Sequence, residues 1–149
     1  MLVRFLADGT LFIILGISGV VILWSLRKRF WQVAPVLIMA GLTSLLAGKV
    51  LSMLYQPSVA RPFLEAGASA GASYIDNPGF PSDHALLATV AVVAVYALTR
   101  NKNLTTVLAA VVILMGVGRV LALVHTPLDV IGGVAAGLVG ALWYKKLTK

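Results

Sequence analysis

Long apolar segments alternate with short polar or charged stretches along the chain. The apolar segments run near residues 10–26, 32–54, 82–99, 104–124 and 128–144. A helix that crosses a bilayer needs about 20 apolar residues, within a range of about 17–25. The pattern therefore predicts an all-α fold, a polytopic transmembrane helical bundle of about five spans. One domain, residues 1–149, is sufficient for a chain of this length.

The composition supports a membrane location. Hydrophobic residues make up 60% of the chain and charged residues 11%, whereas an ordinary soluble domain has about 45–50% and about 25%. The chain has no cysteine, which excludes a disulfide framework and thiol chemistry. The net charge is +7, but the basic residues are scattered between the apolar segments, which argues against nucleic acid as a partner.

The distribution of charge predicts an orientation. Three basic residues follow the first segment, and basic loops tend to remain in the cytoplasm. If the spans then alternate, the cytoplasmic side holds Arg27, Lys28, Arg29, Arg100, Lys102, Lys145, Lys146 and Lys149. The opposite side receives both histidines and all the acidic residues, Asp8, Glu65, Asp76, Asp83 and Asp129. We therefore expect an outer N-terminus, an inner C-terminus and a multi-pass protein of the plasma membrane.

Two further segments carry structural signals. Residues 56–81 form the one long connection, with four prolines and a small-residue tract, AGASAGAS, at 66–73. We interpret it as an outer loop with a short helix that starts at Pro62. In the last segment, Gly133, Gly137 and Ala141 are spaced by four, a pattern that lets helices approach closely.

Polar residues suited to a phosphate gather at the outer side. The third segment begins with Pro81-Ser82-Asp83-His84, and we expect Pro81 to be its first helical residue. The free amides of that first turn favour an anion. Arg61, Arg119 and Lys49 fall near the same side, and guanidinium and ammonium groups bind phosphate well. Lys49 and Arg119 also lie inside apolar segments, where ionisable groups are expensive and usually functional.

A second group of residues has the spacing Arg119-x5-His125-x3-Asp129, within GRVLALVHTPLDVIGG. Pro127 favours a corner between His125 and the last segment. A carboxylate one turn inside that segment can still accept a hydrogen bond from one imidazole nitrogen. That bond would fix the tautomer and leave the other nitrogen free to attack.

The pieces ARPF, PSDH and GRVLALVHTPLD resemble the three motifs of the type 2 phosphatidic acid phosphatase superfamily. Those motifs are a Lys followed by Arg-Pro, then Pro-Ser-Gly-His, then Ser-Arg-x5-His-x3-Asp. The resemblance implies that His125 is a nucleophile that forms a phosphohistidine, that Asp129 orients it, and that His84 is the general acid and later the base. It also implies that the phosphate is held by Lys49, Arg61, Ser82 and Arg119, with the amides of Asp83 and His84. It implies no metal and no cofactor.

The chain departs from those motifs at three positions. Lys49 lies twelve residues before Arg61, where the family's lysine is typically seven before its arginine. Gly118 stands where the third motif has Ser. Asp83 replaces the Gly of the second motif, which resembles the variant in bacterial undecaprenyl-diphosphate phosphatases. The expected substrate is therefore a polyprenyl diphosphate, which is hydrolysed to the monophosphate for cell wall biogenesis; phosphatidylglycerophosphate or phosphatidate is the alternative.

Other interpretations remain open at this point. Ser82 could act as the nucleophile with His125, or His84, His125 and Asp129 could hold zinc, although nearby arginines would repel the metal. The cationic side chains could simply reach for the membrane surface. The chain could also be a non-catalytic lipid-binding or transport protein on the same fold. The partners expected in every case are the lipid bilayer and a membrane lipid phosphate, with the oligomeric state open.

Overall fold

The computed structural model describes residues 1–55 and 61–147, which contain helices joined by turns and loops and no strand. Helical structure begins with Leu2–Arg4, passes through a π-helical turn, Phe5–Gly9, and continues as Thr10–Leu54. The backbone leaves helical geometry at Arg29, with φ −143° and ψ 47°. We therefore name residues 2–28 α1 and residues 30–54 α2.

Four further helices follow. They are α3 (Pro62–Glu65), α4 (Asp83–Thr99), α5 (Lys102–Leu121) and α6 (Pro127–Val139), and a 3₁₀ helix, Gly140–Leu147, continues α6. Arg100 ends α4 in a left-handed conformation (φ 55°). The side chain of Asn101 then caps α5 by accepting from the amide of Leu104 at 3.0 Å. This tight connection makes α4 and α5 antiparallel neighbours.

The helix boundaries correct the sequence-based expectations in three places. The first apolar segment is helical from Leu2, well before residue 10. Pro81 is not the first residue of α4, because Ser82 is the N-cap and the helix begins at Asp83. Helix α5 ends at Leu121 rather than near residue 124, because Leu123 adopts a positive φ of 58°. The short helix at Pro62 is confirmed.

Small residues bring α6 against α4. A Cβ atom at Gly133 would collide with the carbonyl oxygen of Ser82, and one at Gly137 would lie 2.7 Å from Cβ of Thr89. Real Cβ atoms do not approach other atoms that closely, so both positions require glycine for this packing. The expectation of close helix packing at these two glycines is confirmed, and it fixes the start of α6 beside the start of α4.

The surface of the bundle is apolar. Phe12, Leu23, Ile113 and Leu142 are between 63% and 72% exposed, an arrangement that water would penalise and lipid would not. Three helical stretches are long and apolar enough to cross a membrane: Leu2–Leu54, Lys102–Leu121 and Pro127–Leu147. Helix α4 is apolar but shorter. The described residues thus form an all-α bundle with the properties of a membrane protein.

Candidate active site

The two histidines lie at the same end of the bundle. The amide of Ser82 donates to the backbone carbonyl of Asp129 at 2.9 Å, which joins the start of α4 to the start of α6. His84 is in the first turn of α4, and His125 is in the turn that leads into α6. The two imidazoles are close enough to interact electrostatically. We call this the site end of the bundle.

Three consecutive carbonyl groups hold the turn that carries His125. Each accepts a hydrogen bond from the segment that contains α3 and the loop after it. The pairs are Gly71 N with Ala122 O at 3.0 Å, Phe63 N with Leu123 O at 2.9 Å, and Arg61 Nη1 with Val124 O at 2.7 Å. These bonds stabilise the left-handed backbone at Leu123, a conformation that costs a leucine about 1–3 kcal/mol. The loop therefore positions the backbone immediately before His125.

Asp129 faces the His125 ring. Its Oδ2 atom lies 3.4 Å from Nδ1 of His125, which is an ion-pair distance and too long for a good hydrogen bond. The same oxygen accepts from the amide of Thr126 at 2.7 Å, and the Thr126 hydroxyl accepts from the amide of Asp129 at 3.2 Å. This capping box fixes the carboxylate. With Nδ1 directed at Asp129, Nε2 is the nitrogen available for attack.

The surroundings of His125 favour its neutral form. The residue is only 4% exposed, and burial is the main cause that lowers the pKa of its imidazole below the ordinary value. The contact with Asp129 opposes this shift, whereas the positive charges of Arg119 and Arg61 lower the pKa further. A neutral imidazole is the nucleophilic form.

Arg119 connects the two sides of the site. It is 1% exposed, and its Nη1 atom lies 3.4 Å from Nε2 of His84. The same nitrogen donates to Oδ1 of Asp8 at 2.8 Å. An arginine that only reached for the membrane surface would expose its guanidinium, so the burial of Arg119 contradicts that alternative.

The two terminal nitrogens of Arg61 donate hydrogen bonds to other residues of the chain. Besides the bond to Val124, Nη2 donates to the carbonyl of Ile75 at 2.7 Å and to Oδ1 of Asn77 at 2.6 Å. Burial lowers the pKa of the guanidinium, and the carboxylate of Asp129 opposes that effect most strongly. This arginine braces the loop against the turn of His125, a role that the sequence motif does not indicate.

Buried donors without partners occur around the two arginines. Nε of Arg61 and Nε of Arg119 are buried, and neither makes a hydrogen bond to a residue that the structure describes. Nδ1 of His125 is also buried without a hydrogen bond to a described residue, and its one polar contact is the long one with Asp129. A buried unpaired donor costs about 1–3 kcal/mol, and such groups in native proteins call for a functional explanation. Donors of this kind suit an anion.

The remaining predicted residues differ in their burial. Ser82 is fully buried, and its hydroxyl accepts from the amide of Ala85 at 3.5 Å. Asp83 is exposed in the first turn of α4. Lys49 is exposed on α2, and within residues 1–55 and 61–147 no hydrogen bond or ion pair joins it to the other site residues. Its neighbour Gly48 packs against Leu86 of α4. Phosphate contacts from Ser82, Asp83 and Lys49 stay predictions.

The zinc alternative gains no support from the geometry. Across residues 1–55 and 61–147, no three His, Asp or Glu side chains are grouped so that they could hold a metal ion. The positive charges of Arg119 and Arg61 also act on His125, as they would on a bound cation.

Asp8 and Ser73 are site residues that the motifs do not include. Oδ1 of Asp8 accepts from the hydroxyl of Ser73 at 2.8 Å, and Oδ2 accepts from its amide at 3.0 Å. Oδ1 also lies 3.7 Å from Nε2 of His84. One sequence signal could have identified Asp8: it is an acidic residue at the start of a long apolar helix, where a charge is expensive. Ser73 has no comparable signal.

A comparison with protein families identifies the superfamily of the chain. The sequence model of the PAP2 superfamily matches residues 31–149. No curated protein and no solved structure matches the chain. The matched range contains both histidines, Asp129 and every predicted phosphate-binding residue, whereas Asp8 lies outside it. Because the match covers well over half of the sequence, the chain belongs to the PAP2 superfamily.

Proposed function

We propose that this protein is an integral-membrane lipid phosphatase that works through a phosphohistidine on His125. The observation that carries the proposal is the meeting of two imidazoles and two buried arginines at one end of an apolar-surfaced bundle. Members of the PAP2 superfamily are typically phosphatases, which supports the same reaction class. The finer parts of the proposal follow in the order of the reaction.

In the first half-reaction, Nε2 of His125 attacks the phosphorus atom. A bond forms between that nitrogen and phosphorus as the bond from phosphorus to the leaving oxygen breaks. His84 donates its proton to the leaving oxygen, so the lipid product departs with that oxygen protonated. Asp129 stabilises the positive charge that develops on the His125 ring.

In the second half-reaction, water hydrolyses the phosphohistidine on His125. The now neutral His84 takes a proton from a water molecule, whose oxygen attacks the phosphorus atom. The bond between nitrogen and phosphorus breaks, inorganic phosphate leaves, and both histidines return to their starting protonation. Two easier steps thus replace one difficult displacement.

Fixed positive groups would stabilise the charge on the phosphoryl oxygens. The buried Nε atoms of Arg61 and Arg119 are donors without partners in the described residues. We propose that the hydroxyl of Ser82, the first-turn amides of Asp83 and His84, and the ammonium of Lys49 also contact the phosphoryl oxygens. A preorganised set of donors acts where charge develops in the transition state, so we propose that no metal is required.

We propose five membrane spans, with the site at the outer face of the plasma membrane. The break at Arg29 would divide the long first helix into two spans, and α4, α5 and α6 would supply the other three. Arg100 and Lys145 line one cavity at the end of the bundle opposite the site. The preference of basic residues for the cytoplasm then supports an outer N-terminus and an inner C-terminus.

A groove between α5 and α6 supports a lipid as the substrate. It has a volume of about 310 Å³, and its lining is almost wholly apolar. The lining residues include Val117, Val120, Leu121, Val130 and Ile131. The groove begins beside the turn of His125, so a chain that entered sideways from the bilayer could place its phosphate at the site. Because PSDH resembles the undecaprenyl-diphosphate phosphatase variant, we propose a polyprenyl diphosphate; phosphatidylglycerophosphate and phosphatidate are the second candidates.

A substrate panel tests this function. Purified protein in detergent is given undecaprenyl diphosphate, phosphatidylglycerophosphate and phosphatidate, each with and without a metal chelator, and released phosphate is measured. We expect the fastest release from the diphosphate and no effect of the chelator. A dependence on metal would contradict the fixed-cation mechanism. If no lipid releases phosphate, the chain is the non-catalytic lipid-binding or transport protein instead.

The pH dependence of kcat/KM should reflect the lowered pKa of His125, the proposed nucleophile. His125 must be neutral to attack, and its pKa is lowered by burial and by the neighbouring arginines. The ring therefore stays neutral to a lower pH than an ordinary histidine, whose pKa is about 6.5. We expect the acidic limb of the profile to lie below pH 6.5 after correction for substrate ionisation. An acidic limb at or above that value would contradict the burial argument.

A further inference from the structure

Asp8 is held in one place by hydrogen bonds from two distant parts of the chain. It accepts from the amide and hydroxyl of Ser73 at 3.0 and 2.8 Å and from Nη1 of Arg119 at 2.8 Å. Its side chain is 16% exposed. Arg4 also approaches it at 4.0 Å, but Arg4 is 76% exposed and such pairs contribute little. The carboxylate is thus fixed against Arg119 and beside His84.

Gly118 makes this position of Asp8 possible. A Cβ atom at Gly118 would lie 2.7 Å from the backbone nitrogen of Ala7 and 2.7 Å from the carbonyl carbon of Leu6. Those contacts are with backbone, which cannot move aside as a side chain can. The third motif has Ser at this position, whereas this chain has Gly. The departure at Gly118 therefore lets the N-terminal helix lie directly on α5 and brings Asp8 to Arg119.

His84 faces charged or titratable groups from three elements. Arg119 approaches from α5, Asp8 from the N-terminal π-helical turn, and His125 from the turn before α6. A general acid must carry a proton before it can donate one. The positive guanidinium of Arg119, 3.4 Å away, opposes that protonation. The carboxylate of Asp8, 3.7 Å away, is the one negatively charged group among the three, and it favours the protonated form of His84.

We propose that Asp8 is a positioning residue of the phosphatase, which holds Arg119 through Nη1 and stabilises the protonated form of His84. This inference rests on the proposed function, because it assigns Asp8 a task in proton transfer to the leaving group. The bond through Nη1 leaves Nε of Arg119 for the substrate phosphate. Asp8 lies outside the part of the chain that matches the superfamily, so the family motifs do not assign this task.

The Asp8→Asn variant tests the proposal by a pH profile and a comparison of leaving groups. We expect the alkaline limb of the profile, where His84 loses its proton, to move to lower pH by about one unit. With the lipid substrate, kcat near neutral pH should fall about tenfold or more, since general acid catalysis contributes about 10²–10⁴-fold. With p-nitrophenyl phosphate, which has a good leaving group, the loss should be smaller. His84→Ala should show the same leaving-group dependence more strongly.

Two results would overturn the proposal. The first is an Asp8→Asn variant whose alkaline limb and leaving-group dependence equal those of the wild type. The second is a variant with a lower KM and a higher kcat/KM, which would mean that Asp8 competes with the substrate phosphate for Arg119. The wild type is measured in the same assay. A wild type without turnover would overturn the proposed function itself, whereas an active wild type with an unchanged variant overturns only the role of Asp8.

A second variant, on α5, disturbs the contact between Asp8 and Arg119 without changing either side chain. Gly118→Ala should push the N-terminal helix away from α5 and move Asp8 from Arg119, so we expect the same shift of the alkaline limb as in Asp8→Asn. Gly16→Ala is the matched control on the helix that carries Asp8, because a Cβ atom at that position would have open space around it. The control should leave the alkaline limb where it is in the wild type. Equal limbs in all three proteins would contradict the proposal.

Discussion

Replacing His125 by alanine (His125→Ala) is expected to abolish phosphate release while the protein stays folded. The variant loses the imidazole nitrogen that we propose as the nucleophile, so we expect kcat to fall by at least about 10⁴-fold. The measurement is phosphate release from the preferred lipid, together with trapping of the phosphorylated enzyme after a short incubation with labelled substrate. Wild-type protein should carry the label, and the variant should not.

The fold of the His125→Ala variant must be checked separately. The turn is held by backbone carbonyls at Ala122, Leu123 and Val124, none of which belongs to the His125 side chain. We therefore expect helical content and the thermal unfolding midpoint in detergent to stay close to those of the wild type. Near-normal turnover in a folded variant would contradict the covalent mechanism and would revive Ser82 as the nucleophile.

Replacing Asp129 by asparagine (Asp129→Asn) is expected to lower kcat by about 10²–10⁴-fold with little loss of stability. Asparagine keeps an oxygen that can accept from the amide of Thr126, so the start of α6 stays capped. It loses the negative charge that faces Nδ1 of His125 at 3.4 Å, so the ring is no longer stabilised when it becomes positive. The measurements are kcat with the lipid substrate and the midpoint of thermal unfolding.

Thr126→Ala is the matched control for that experiment. It removes the hydroxyl that accepts from the amide of Asp129 but keeps the Thr126 backbone amide that donates to the carboxylate. We expect it to cost about 1 kcal/mol of stability and to leave kcat within a few-fold of the wild type. The opposite result, in which both variants lose stability and activity together, would mean that Asp129 acts only as part of the helix cap.

The apolar segments of the sequence predict most of the architecture. Each segment corresponds to a helix in the structure, because a run of apolar residues of this length can satisfy its backbone groups in lipid only by forming a helix. The boundaries were less accurate. Residues 2–9 lie outside the first predicted segment, near 10–26, yet they are helical. Pro81 was expected inside α4, but the hydroxyl of Ser82 caps the helix after it.

The motif spacing predicted the chemical groups of the site but not their neighbours. His84, His125, Asp129 and Arg119 were selected by sequence, and the structure brings all four to one end of the bundle. The spacing did not predict that Arg61 donates to the carbonyl of Val124, because the two residues are far apart in sequence. The role of Lys49 was left open by its unusual spacing and stays a prediction.

By itself, the sequence determined that this protein is an all-α bundle with the apolar segments of a membrane protein and the motifs of the PAP2 superfamily, since apolar length and local motifs are properties of consecutive residues. Only the tertiary structure decided that Asp8 joins Arg119 and His84, and that the loop after α3 holds the turn of His125. Those contacts connect segments separated by up to 111 positions. The contact of Asp8 with Arg119 depends on how closely the backbones of α1 and α5 approach. The absence of a Cβ atom at Gly118 matters only once these two helices pack together.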